Sequence, residues 1–107
     1  MSNVIERAST PSCSWKIPFD PGIIRTAIIT CKQCDKTVFE VKGDAIHIDK
    51  ENRIVSCEFT QEQTRLLEAE MQAAIQLRII SVDGKTSRSQ VEYCYVRDVL
   101  NDEVYHV

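Results

Sequence analysis

From Ser12 onward the chain is written in short runs whose apolar positions recur at every second residue. Cys13, Trp15 and Ile17 alternate with Ser14 and Lys16, the period of a strand with one buried face. Pro18 closes that run, and Asp20-Pro21-Gly22 marks a turn that opens one helical turn through Ile23 and Ile24. A second run, Thr26 to Cys34 with Ile28 and Ile29 at its centre, is separated from Thr37-Val38-Phe39-Glu40-Val41 by the polar break Gln33 to Lys36. Two β-rich runs so close together read as a hairpin. Ala45, Ile46 and Ile48 suggest a further short strand and Asp49-Lys50-Glu51-Asn52 a turn. Ile54, Val55, Cys57 and Phe59 form another strand, with Val55, Cys57 and Phe59 on one face. Met1 to Pro11, by contrast, is polar and aperiodic and reads as a loose arm.

Thr60 opens a helix. Its hydroxyl can accept from the amide three residues on while Gln63 reaches back to the cap, and Glu62 sits well in the first turn. Leu66 and Leu67 would face the core. Two patterns compete for where this helix ends. Leu67, Met71, Ile75 and Ile79 fall at every fourth position among strong helix formers, so periodicity allows one helix from Gln61 to about Ile79. The rival pattern ends the helix near Glu70 and starts a strand near Gln72, with Ile75, Leu77 and Ile79 inward and Gln76 and Arg78 outward. Asp83-Gly84 favours the second, because a two-residue type I′ turn, with positive φ at both central residues, needs a strand on each side. The change of apolar phase at Ile80 and Val82 suits a bulge before that turn. Beyond it, Val91, Tyr93 and Tyr95 alternate with Gln90, Glu92 and Cys94, and the chain closes with Asp98-Val99-Leu100 and a polar tail, Asn101 to Val107. Short strands with turn signals at roughly regular spacing predict a mainly β domain, a sandwich or a barrel, over residues 12–100.

At 107 residues, with 43% hydrophobic and 27% charged, the chain fits one globular domain with a single modest core. A net charge of −3 argues against a general nucleic-acid binder, which needs a basic field to neutralise phosphates. No apolar run comes near the roughly 18 residues of a membrane span. Residues 1–11 lack the charged and apolar regions of a signal peptide. The expectation is a protein made in the cytoplasm, with no nucleic-acid or membrane partner.

Five cysteines, Cys13, Cys31, Cys34, Cys57 and Cys94, are an odd number in a reducing compartment and read as thiols, mostly small buried apolar residues. Cys31-Lys32-Gln33-Cys34 could supply two thiolates to tetrahedral zinc, but a structural site needs two further ligands. His47, His106, Cys57 and Cys94 stand at unrelated spacing. A redox C-x-x-C belongs at a helix N-terminus, whereas this one enters a hairpin. The plainer reading is one strand cysteine and one turn cysteine. His47 lies between Ile46 and Ile48 and projects to solvent; His106 lies in the tail. With no nucleophile elbow and no glycine-rich phosphate loop, no catalytic, cofactor or metal residues are assigned. Tyr93 and Tyr95 share one face of the last long strand, where they serve either an interface or the core. Trp15 is assigned to the core.

Four segments occur in an ordered set: Trp15-Lys16-Ile17-Pro18-Phe19-Asp20; Ser56-Cys57-Glu58-Phe59-Thr60-Gln61-Glu62-Gln63-Thr64; Gln76-Leu77-Arg78-Ile79 with Asp83-Gly84-Lys85; and Val96-Arg97-Asp98-Val99-Leu100. Together they resemble short structural proteins encoded in phages and prophages of Gram-positive bacteria, and more loosely the N-terminal domain of phage baseplate upper proteins. The likeness spans about residues 12–107. It implies an immunoglobulin-like antiparallel β-sandwich with one short helix before the final hairpin. It also implies a non-enzymatic role in the virion, near tail or baseplate, among other virion proteins and further copies of the chain. The family pattern has ordinary strand and turn residues where this chain has its C-x-x-C, and is less helical at Leu67 to Met71. The hairpin at Asp83-Gly84, the Tyr93 and Tyr95 strand and the C-terminal tail are then the expected contact surface. Two rivals remain: a phage-encoded inhibitor of a host protein, and a small zinc-binding module through Cys31 and Cys34.

Overall fold

The period-two runs become strands in two sheets that share one apolar interior. The computed structural model describes residues 4–101 and 103–105. Its strands are β1 (Val4–Glu6), β2 (Ser12–Lys16), β3 (Ile24–Gln33), β4 (Lys36–Lys42), β5 (Ile46–Asp49), β6 (Ile54–Glu58), β7 (Met71–Ser81), β8 (Thr86–Arg88) and β9 (Glu92–Arg97); one helix, α1 (Gln61–Arg65), sits between β6 and β7. The larger sheet has the order β1-β9-β7-β3-β4, with β8 also on β7, and the smaller the order β2-β6-β5. All pairings are antiparallel except β1 with β9. With β2, β5 and β6 on one layer, β3, β4, β7 and β9 on the other, this is the strand arrangement of an immunoglobulin-like sandwich.

Alternation fills the interior. Ala27, Ile29 and Cys31 of β3, Ala73, Ile75, Leu77 and Ile79 of β7, and Cys94 and Val96 of β9 meet Cys13, Trp15, Val55 and Cys57 of the smaller sheet in one buried cluster. Phe39 on β4 and Phe59 beyond β6 pack edge to face at 5.1 Å, joining the layers. Trp15 is buried as its alternation requires, yet its indole Nε1 has no hydrogen-bond partner among the described residues, a desolvation cost that the surrounding apolar contacts offset.

The stretch that fits both periods is a strand. Met71–Ser81 pairs with β3 along one edge and with β9 and β8 along the other, so both rows of backbone polar groups find partners in neighbours that an isolated helix would leave unused. The helix is correspondingly short. Thr60 caps it as expected, its hydroxyl accepting from the Gln63 amide at 3.1 Å while the Gln63 side chain accepts from the Thr60 amide at 2.9 Å. It stops at Arg65, not near Glu70. Leu67 is buried, but Leu66 is 63% exposed, because five helical residues present a single inward position after the cap. The link to β7 is held by Gln33, which accepts from the Glu68 amide at 2.7 Å and donates to its carbonyl at 3.0 Å.

Two turn assignments change. The type I′ turn belongs to Cys34 and Asp35, with φ of 51° and 62°, between Gln33 and Lys36. At the other hairpin only Gly84 has positive φ (84°). The Gly84 amide donates to the Ser81 carbonyl at 2.9 Å and the Ser81 amide to the Lys85 carbonyl at 2.8 Å, which makes a three-residue loop closed by a left-handed glycine. The irregularity sought before that turn lies instead on the facing strand, between Ile24 and Thr26; Ile80 simply faces outward. The returning strand is also not continuous, since residues 89–91 separate β8 from β9.

The segment read as a loose arm is part of the sandwich over its described residues. Val4–Glu6 pairs in parallel with Tyr95–Arg97, and Ile5 is 3% exposed. Two adjacent apolar residues, Val4 and Ile5, give too short a pattern to announce a strand, and their pairing comes from distant sequence. Met1, Ser2 and Asn3, together with Asp102, His106 and Val107 of the tail, lie outside the described residues.

Candidate docking face

The C-x-x-C residues part company where the strand becomes a turn. Cys31 is fully buried on the inner face of β3, and burial pushes its thiol up to about 12; Cys34 is exposed at the tip of the I′ turn. Among the described residues no group of three or more His, Cys, Asp or Glu side chains is gathered as a metal would require. Cys13 and Cys57 instead face each other across β2 and β6, their sulfurs 3.4 Å apart. Their shared S–H···S bond and burial hold the Cys13 proton well above the ordinary thiol range. Burial likewise raises Cys94. Cys13, Cys31 and Cys94 are thus held as buried thiols, while the bond with Cys13 lowers Cys57, and no disulfide joins any of the five cysteines. His47 is exposed on β5.

What faces outward is more informative. On β9 it is Cys94 and Val96 that turn inward, leaving Tyr93 60% and Tyr95 40% exposed on the outer face of the larger sheet. The two readings of these tyrosines therefore separate in favour of the surface. Tyr95 donates its hydroxyl proton to Glu70, and that bond raises the phenol above its ordinary range. Tyr93 stands opposite Ala74, whose small side chain leaves the ring prominent. Asp83 and Gly84 form an exposed loop with Val82, 65% exposed, at its shoulder.

Strand register maps the rest of this face in rows. Lys32, Ala74 and Tyr93 lie side by side across β3, β7 and β9. The next row holds Thr30 and Gln76, and the next Ile28, Arg78 and Arg88 across β3, β7 and β8. Between β8 and β9 the chain is pinned at Ser89: its amide donates to the Leu77 carbonyl at 2.9 Å, its hydroxyl accepts from the Leu77 amide at 3.0 Å, and its carbonyl accepts from the Gln76 side chain at 2.8 Å. This break in the ladder leaves a shallow depression of about 220 Å³ lined by Lys32, Gln76, Arg78, Arg88 and Val91 among others. The outward direction of Arg78 is legible from its alternation; Arg88 and Lys32 join it only through pairing. The signal available in the sequence was Thr86-Ser87-Arg88-Ser89-Gln90, a polar run too long for a tight turn.

No protein-family model and no curated protein matches the chain. Among solved structures it is similar to the V domain of amphioxus IgVJ-C2, at 10% identity over 88% of this chain and 98% of that one, with a TM-score of 0.33. The immunoglobulin-like assignment rests on the strand order and pairing above.

Proposed function

We propose that the protein is a non-enzymatic structural module of a bacteriophage or prophage particle, associated with the tail or baseplate and acting by protein–protein contact. The virion setting is supported by the ordered resemblance of the segments around Trp15, Phe59, Leu77 and Val99 to phage structural proteins. The observation that carries the contact role is the outward placement of Tyr93 and Tyr95 on a broad sheet face. Tyrosine combines a large rigid apolar area with a hydrogen-bonding tip at low entropic cost, which is why it is enriched at docking surfaces. The loop at Asp83 and Gly84 and the tail lie at the margins of the same reading.

Phage particles are symmetric, so a module of this kind works in repeated copies, each docked by the same patch on neighbouring virion proteins or on another copy. The made protein then resides in the virion. Tyr93→Ala with Tyr95→Ala tests this. Incorporation into purified particles, measured by quantitative mass spectrometry, should fall about tenfold or more, the scale of losing a central aromatic pair, while the melting temperature of the free protein stays within a few degrees. Undiminished incorporation removes this face from the interface.

A further inference from the structure

Arg78 and Arg88 are direct partners across β7 and β8 on the outer sheet face. Like charges placed opposite one another in a sheet destabilise it, so this pair calls for a compensating anion. None is present among the described residues: neither arginine, nor Lys32 nearby, forms an ion pair with a carboxylate. The acid in the Thr30 and Gln76 row, Glu40, is engaged elsewhere, with Lys42 at 3.6 Å and with the Thr30 hydroxyl at 3.2 Å. All three cations line one depression, which has Gln76, Val91 and Ala74 on its floor and rim and no carboxylate in its lining. The Ser89 pin that creates it joins the Ser89 amide and hydroxyl to the Leu77 backbone, so the concavity is built, not a gap between loose side chains.

We propose that this depression is the recognition site for a carboxylate-bearing segment of a partner protein, deepening the docking role on which it rests. Two guanidinium groups in one row offer forked donors that match carboxylates in pairs. Lys32 supplies a third charge two rows away, and Val91 and Tyr93 beside it offer apolar contact to the residues flanking an acid. A protein segment fits better than a nucleic acid. The chain as a whole carries −3, so its long-range field opposes a polyanion, and three cations in a cup make no stripe along which a phosphate backbone could run.

The test uses the full chain and a short fluorescent peptide of alternating glutamate and leucine, with its glutamine counterpart, inorganic phosphate and single-stranded DNA as comparisons. The glutamate peptide should bind in anisotropy titrations, the glutamine peptide should not, and added salt should weaken binding. Arg78→Gln with Arg88→Gln should lower affinity about tenfold or more, a loss of about 1.4 kcal/mol or more for the pair together. Relief of the like-charge contact should leave the melting temperature equal or slightly raised. No binding of the glutamate peptide, unchanged affinity in the double variant, or DNA binding tighter than the peptide overturns the assignment, as does a melting temperature that drops by several degrees. Displacement of the peptide by phosphate at equal concentration would also overturn it, by showing a site for free anions. Particle incorporation of the same variant separates the two ideas: a failed peptide titration with tyrosine-dependent incorporation intact sinks only this site.

Discussion

Residues 4–11 and the described residues after β9, 98–101 and 103–105, lie beside the same strand, and both are aperiodic, yet they hold to the sandwich by different physics. The first segment carries Ile5 into the core and runs three residues of parallel ladder along Tyr95–Arg97. It is then fastened twice more. Arg7 donates to the Leu67 carbonyl at 3.0 Å, to the Arg65 carbonyl at 3.1 Å and to Asp98 at 3.0 Å, placing a cation over the carbonyl end of α1 where the helix dipole favours it. Ser9 exchanges backbone bonds with the buried Thr64 hydroxyl at 3.0 and 2.8 Å. The second segment leaves Leu100 fully exposed and Tyr105 57% exposed, and touches the helix through the Tyr105 backbone and the Gln61 side chain. One buried apolar residue plus satisfied backbone groups makes a segment part of the fold, whereas polar contacts in water, where solvent competes for each bond, leave it a surface feature.

The largest effect expected from this contrast is at Ile5. Ile5→Ala removes buried volume between β9 and the smaller layer and should cost about 2–5 kcal/mol in denaturant unfolding. A loss under about 0.5 kcal/mol would place the strand on the surface with the tail. A smaller effect belongs to Asp98. The hydrogen bond from Arg7 holds its carboxyl below the ordinary range, helped by the Val99 amide. A carboxyl whose folded value is lowered contributes stability that is complete above its unfolded value, about 3.9, and disappears as pH falls through the lowered folded value. The wild type should therefore melt above Asp98→Asn at neutral pH, with the gap closing as the pH drops below about 4. A constant gap across that range would show that the ion pair is not the fastener. Least affected is the tail: Gln61→Ala should change stability by no more than about 0.5 kcal/mol in the same unfolding experiment, and a larger loss would erase the distinction between the two ends.

The same principle explains what could be read in advance. Where a strand has its own alternation, as in Cys13-Trp15-Ile17 or Val55-Cys57-Phe59, burial followed the pattern. The capping box at Thr60 was legible because its partners are three residues apart. Turn chemistry was less so. Asp-Gly announces a positive φ without saying how many residues the loop holds, and Cys34-Asp35 adopts the I′ geometry because β3 and β4 impose their twist on a pair that carries no glycine. Of the candidate surface, Tyr93 and Tyr95 were visible as a period-two pair but not their side, since Cys94 and Val96 are apolar too. The cationic depression was out of reach, because Lys32, Arg78 and Arg88 are separated by up to 56 positions along the chain and share a face through register alone.

By itself, then, the order of residues determined a mainly β chain with a capped helix, a strand-forming period and an apolar complement large enough for one core, because these depend on neighbours within a few positions. Tertiary structure decided that Ile5 joins the core and which cations meet on the outer face. Each of those outcomes rests on hydrogen-bond partners and buried neighbours contributed by remote segments, and no local pattern carries that information.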